Sequence, residues 1–350
     1  MKALFEIADI CSEKCPKNEE IDESELLGGI LLNKVVGISF DKCIKAPEYT
    51  FTKEFIDTLE CIYHNNVESN KRFLNGVKYL SGILKEQDIP YALLKGAFLI
   101  GDLYPMGYRT SNDVDILINE ENISDIQKVL RDNGFIQGTY KRGKGISAAS
   151  RREIVESRMN YGETVPFVKL IDNHPLQVDI NFSVDYKPNA ERTIISRFLN
   201  DAIKVEREGY SFFTLEEKDF LIHLCLHLYK EATTYDWILA KRDLLLYKFS
   251  DINLLIHKYA NKKYCEELSE RIKELGVEKE CYYAFENTSV IFPELNQNLN
   301  FVWLKNSIKP KDLQFMQQIV YPREKKVFIH NMKFEEWFDC NNRIQYLKEL

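Results

Sequence analysis

The period of the hydrophobic pattern changes near residue 89, and that change restricts the fold more than any other feature of the chain. Over residues 51–88 apolar side chains recur three or four apart (Phe55, Leu59, Ile62, Phe73, Val77, Leu80, Leu84), and no proline interrupts the run before Pro90. This is the spacing of one face of an α-helix. Short apolar runs follow, at 89–94 ahead of Lys95-Gly96, at 114–118 behind Ser111-Asn112, at 164–171 and at 176–182. Runs of this length between turn residues predict strands. Residues 97–103 and 123–132 predict helices between them, the second stopped by Asn133-Gly134. Asp172-Asn173-His174-Pro175 joins the last two strands as a hairpin turn. The order predicts an α+β fold, a small mixed sheet flanked by helices.

The flanks read as helical. A short helix is expected from Ser24, and Thr214 with Glu217 forms a capping box in which each side chain satisfies a free amide at a helix start. Phe220, Leu221, Leu224, Cys225 and Leu228 supply the apolar face that follows, and Phe292-Pro293 and Tyr321-Pro322 break the remainder. The expected organisation is an N-terminal helical region 1–88, a core 89–210 and a helical C-terminal domain 211–350. Residues 141–158 carry Lys141, Arg142, Lys144, Arg151, Arg152 and Arg158 against Glu153 and Glu156, and read as a cationic loop that is either simply solvated or a grip for an anionic ligand.

The formal net charge of -7 argues against a chain that mainly grips a nucleic acid backbone, so no DNA partner is expected. No run approaches the roughly 20 apolar residues of a membrane span, and no secretion signal opens the chain, so the expected address is the cytoplasm without a membrane partner. The eight cysteines are dispersed and expected to be reduced. Cys11 and Cys15 are the only close pair, with no second pair at zinc-like spacing. His223 and His227 lie four apart, but Leu224 stands where the metalloprotease pattern needs Glu, so both are expected to pack in a helix.

The chemistry concentrates in Arg109-Thr110-Ser111-Asn112-Asp113-Val114-Asp115-Ile116. Strand side chains alternate between faces, so Asp113 and Asp115 share one face while Val114 and Ile116 anchor the other. Two carboxylates this close repel each other, and a divalent cation relieves the repulsion. Magnesium suits such a site, because it takes a few carboxylate oxygens and completes its shell with water and phosphate oxygens, whereas zinc asks for His and Cys. Asp179, in Gln177-Val178-Asp179-Ile180-Asn181, is the third candidate, on a later strand that can lie beside the first. Lys95 reads either as a solvated strand end or as a charge for phosphates, and Arg109 either as a structural partner of Asp113 or Asp115 or in that same phosphate role.

Leu93-Leu94-Lys95-Gly96, Tyr104-Pro105, Arg109 and the Asp113-Val114-Asp115-Ile116-Leu117 strand together resemble the DNA polymerase β-like nucleotidyltransferases, and within them the uncharacterised bacterial nucleotidyltransferase family. The likeness is strongest over 89–118, extends to Asp179, and is weaker around His223, Tyr229, Trp237 and Arg242-Asp243-Leu244. It implies two magnesium ions, with manganese as a substitute, held by Asp113, Asp115 and Asp179, and a nucleoside triphosphate, ATP favoured, as donor. An acceptor would attack the α-phosphate and pyrophosphate would leave, with Asp179 completing the ion that activates the acceptor. Gly96 would let the backbone approach the phosphates, and Lys95 or Arg109 would neutralise the leaving group. The chain departs from its relatives in having Lys95-Gly96 for Gly-Ser, a long interval from Gly96 to Asp113, and Asn181-Phe182 for His-Trp. The acceptor is left open among a small molecule, a peptide or protein, and an RNA. The alternatives are a toxin-type enzyme that modifies transfer RNA, hinted at by 141–158, and an inactive nucleotide-binding scaffold.

Overall fold

The computed structural model describes residues 1–14, 21–45, 51–160, 162–184 and 194–350; Cys15, half of the close cysteine pair, lies outside them. The fold is α+β, and the chain divides into two compact units, Asn66–Phe220 and Met1–Asn65 with Leu221–Leu350.

The first unit is built on strands β1 (Tyr91–Leu93), β2 (Asp113–Ile118), β3 (Ile136–Lys141), β4 (Gly145–Ala148), β5 (Phe167–Ile171) and β6 (His174–Asn181), in the spatial order β1-β2-β6-β5-β3-β4. Only β2 and β6 run parallel; the other neighbours are antiparallel. One face carries Val114, Ile116, Ile118, Val178 and Ile180, all fully buried. They pack with Phe73, Val77, Leu80 and Leu84 of the helix Lys53–Leu84 and with Ile123, Ile126 and Leu130 of the helix Ile123–Asp132. The apolar spacing of 51–88 thus produces one unbroken helix, whose later turns cover the sheet. The helix Ile123–Asp132 ends where Asn133-Gly134 predicts, with Gly134 at φ +79°.

Three expectations change in this unit. The β5–β6 turn is only Asp172-Asn173, at φ +49° and +62°, and His174 and Pro175 already pair in the ladder with Ile171 and Leu170. Two central residues of positive φ match the right-handed twist of the flanking strands, so a two-residue turn suffices. The cationic stretch is not a loop. Lys141 closes β3, Gly143 and Gly145 take positive φ to turn the chain, β4 returns, and the helix Arg151–Asn160 follows. Thr214 caps nothing. It ends β8 (Tyr210–Thr214), which pairs with β7 (Ile203–Arg207), and its buried hydroxyl donates to the Leu93 carbonyl at 2.7 Å. The helix begins instead at Glu217, where the Lys218 amide donates to the Glu216 carboxylate at 2.8 Å.

The second unit is mostly helical. Its early helix Glu23–Leu32 is capped by Asp22, two residues earlier than Ser24, and Asp22 accepts from the amides of Ser24 and Glu25. Asn253 donates to Asp9 at 2.8 Å and the Leu246 amide to Asn33 at 2.9 Å, which ties the N-terminal segment to the later helices. A small sheet of β9 (Gln318–Tyr321), β10 (Lys326–Ile329) and β11 (Lys348–Glu349) stands where only helices and breaks are expected. His223 and His227 lie ring to ring at 6.3 Å, and His227 Nε2 is 3.3 Å from Glu231. No helix among the described residues is long and apolar enough to cross a membrane.

Candidate functional site

Register sets the site. In the parallel β2–β6 pair Asp113 lies opposite Gln177, Asp115 opposite Asp179, and Leu117 opposite Asn181. Alternation then puts Asp113, Asp115, Gln177, Asp179 and Asn181 on one face, while Val114, Ile116, Val178 and Ile180 hold the other in the core. The three sequence-selected aspartates therefore come together, and the apolar residues between them fix both strands. Asp115 is buried; Asp113 and Asp179 are partly exposed.

Polar side chains hold the carboxylates in place. Lys95 Nζ donates to Asp115 Oδ1 at 3.0 Å, and Asn181 Nδ2 reaches the same oxygen at 3.2 Å. Gln177 Nε2 donates to Asp179 Oδ1 at 3.3 Å. Burial first, then the charges of Asp113, Asp115 and Glu163, push the Asp179 carboxyl well above the ordinary aspartate value, and the Gln177 bond opposes them only in part. Glu163 arrives because the segment entering β5 first runs beside the end of β6, where Glu163 bridges to Asn181. Gln177 and Asn181 follow from period two on either side of Asp179. Glu163 had no such signal, since its place depends on a bridge between segments.

The Lys95-Gly96 turn is built by contact. Lys95 sits at φ +47°, ψ -115°, a conformation natural to glycine at the first central position of a hairpin-type turn. A methyl group on Gly96 would lie 2.1 Å from Ser111 Oγ and 2.7 Å from Ser111 Cβ, so glycine is required for the close approach of residue 111. Ser111 also accepts from Arg109 Nη1 at 2.6 Å, and Arg109 is itself buried. Asn66 donates to the Gly107 carbonyl, while Asn70 donates to the Arg109 carbonyl and accepts from the Gly107 amide, so the helix Lys53–Leu84 pins the loop ahead of β2. A cleft of about 400 Å³ adjoins this end of the strands and is lined by Arg72, Ser111, Asn112, Tyr140, His174 and Gln177 among others.

Among the described residues no group of three or more His, Cys, Asp or Glu side chains is disposed to enclose a metal ion as it stands. Asp115 Oδ1 is engaged by Lys95 and Asn181. The donors are nevertheless all oxygens, and the charges of Asp113, Asp115 and Glu163 bear on Asp179. That suits a hard dication that needs one or two carboxylates and takes its other ligands from phosphate and water. The sequence pattern of a family described as uncharacterised nucleotidyltransferase matches residues 19–293, a span that contains Lys95, Gly96, Arg109 and all three aspartates. No curated protein matches the chain.

Proposed function

This chain belongs to the uncharacterised nucleotidyltransferase family, and from that premise we propose that it moves a nucleoside monophosphate from a nucleoside triphosphate to an acceptor, using Asp113, Asp115 and Asp179. The observation that supports this reading is the β2–β6 register, which sets Asp115 beside Asp179 with Asp113 on the same face.

The acceptor's nucleophilic atom gives its proton to the Asp179 carboxylate and forms a bond to the α-phosphorus, the bond from that phosphorus to the oxygen leading to the β-phosphate breaks, and pyrophosphate leaves with the electron pair. Magnesium, with manganese as its substitute, would be held by the three aspartates and would supply charge neutralisation for the triphosphate and the departing pyrophosphate. Asn181 and Gln177 keep Asp115 and Asp179 oriented. Lys95, already within the site, offers its ammonium to phosphate oxygens, and Arg109 holds Ser111 and thereby the turn. ATP is the first donor to try. One feature favours an RNA acceptor: Lys141, Arg142, Lys144, Arg151 and Arg158 are all exposed on the β3–β4 hairpin and the helix after it, in the unit that holds the aspartates.

The test uses each nucleoside triphosphate labelled at the α-phosphate, with magnesium and an acceptor panel of alcohols, peptides and a transfer RNA pool. Label should pass to one acceptor class with equimolar pyrophosphate. Asp115→Asn or Asp179→Asn should reduce the rate by at least roughly a hundredfold, as loss of a directly acting charged group does, and chelation of the divalent cation should stop transfer. Unchanged transfer in both variants would remove the assignment.

A further inference from the structure

Asp115 lies beside Asp179 at the centre of the negative face, yet its Oδ1 is bonded to an ammonium. The Lys95 and Asp115 side chains are only 18% and 9% exposed, so this ion pair is largely withdrawn from water. Exposed pairs of that kind contribute little, but breaking a buried one leaves a charge without compensation. The Lys95 backbone supplies a second observation, because its φ of +47° with ψ of -115° is a conformation in which a residue with a Cβ is strained. Glycine would relax that strain. A lysine held there is explained by what its side chain does.

A dication that binds Asp115 alone shares the carboxylate with this ammonium and stands beside it as a second positive charge. A dication that arrives with a triphosphate brings phosphate oxygens to receive the same ammonium. Resting on the nucleotidyltransferase reading above, we propose that Lys95 is a resident counter-ion that keeps Asp115 occupied until nucleotide phosphates draw the ammonium away, so that divalent cation and nucleotide bind as one coupled event. Coupling of this kind is reciprocal: the nucleotide tightens the cation by the factor by which the cation tightens the nucleotide.

Manganese binding to the full chain, followed by its electron spin resonance signal, tests the proposal, alone and with each of the four α,β-methylene nucleoside triphosphates, which cannot release pyrophosphate. The wild type should bind manganese weakly alone and roughly tenfold or more tightly with nucleotide, within the usual range of coupling between sites. Lys95→Met and Lys95→Gly should both bind manganese alone at least about tenfold more tightly than the wild type and lose most of the nucleotide effect. The glycine variant leaves the turn in a conformation that glycine prefers, so the pair separates the charge from the fold. If both variants bind manganese alone no more tightly than the wild type, while the wild type still binds it with nucleotide, the counter-ion role is overturned and the transferase reading stands. If the wild type binds manganese with none of the four nucleotides, the transferase reading falls and the counter-ion role with it.

Discussion

Gly96 shows how little freedom the site leaves to a single residue. With Ser111 Oγ 2.1 Å from where a Cβ would stand, Gly96→Ala must push the serine aside, and Ser111 carries both Arg109 and the approach to β2. Overpacking of this kind costs roughly 1–3 kcal/mol, and it should appear as a lower urea midpoint with an unchanged slope. Ser111→Gly in the Gly96→Ala background should recover part of the loss, because the two positions share one contact and so cannot be additive. A double variant as unstable as the sum of the singles would show that the contact is not the cause.

At the level of elements, the end of β1 is held from two sides. β2 pairs with it in register from Leu93 opposite Ile116, and the Thr214 hydroxyl at the end of β8 satisfies the Leu93 carbonyl two residues before Lys95. Thr214→Val keeps the shape but leaves that buried carbonyl without its donor, which costs roughly 1–2 kcal/mol. Hydrogen exchange at residues 93–97 should speed up in this variant more than exchange in β5. Equal acceleration in both strands would mean that Thr214 stabilises the unit in general and not the turn. Thr214 followed three residues later by Glu217 is a sound capping signature. It misleads here because the threonine belongs to a preceding strand, and nothing local to 214–217 reveals that Leu93 waits for its proton.

Across the whole molecule, the two units should respond to pH in opposite directions. The Asp179 carboxyl is held above its ordinary value, so the folded unit Asn66–Phe220 binds that proton more tightly than the unfolded chain does. Without divalent cation this unit loses stability as pH rises from the ordinary aspartate value through the raised one. His330 is the reverse case. It is stacked on Trp337 at 3.8 Å, and burial, with the Arg343 charge adding to it against a bond to the Met332 backbone, lowers its pKa from 6.5 to about 4. The unfolded chain then takes up the proton first, and the unit Met1–Asn65 with Leu221–Leu350 loses stability as pH falls from 6.5 toward 4. All three tryptophans, Trp237, Trp303 and Trp337, belong to this second unit, so their fluorescence reports on it alone. Between pH 7 and pH 5 in chelator, the fluorescence midpoint in urea should fall. The midpoint by far-ultraviolet circular dichroism should shift less or split. His330→Phe should abolish most of the fluorescence shift, and Asp179→Asn should stabilise the metal-free protein at pH 7. Coincident midpoints at both pH values would contradict this account.

The elements of the site were legible because they rest on local physics. Alternation between Asp113 and Ile118 and between Leu176 and Asn181 specifies two strands, each with one polar and one apolar face, and the spacing of 51–88 specifies a helix with one apolar face. Residue chemistry alone also selects three aspartates. The parallel pairing that puts Asp115 opposite Asp179, the entry of Glu163, the ammonium of Lys95 on Asp115 and the union of Met1–Asn65 with Leu221–Leu350 were decided only in three dimensions. Each is a contact between residues distant in the chain, and which distant partners meet is settled by the packing of the whole unit and not by any window of neighbouring residues.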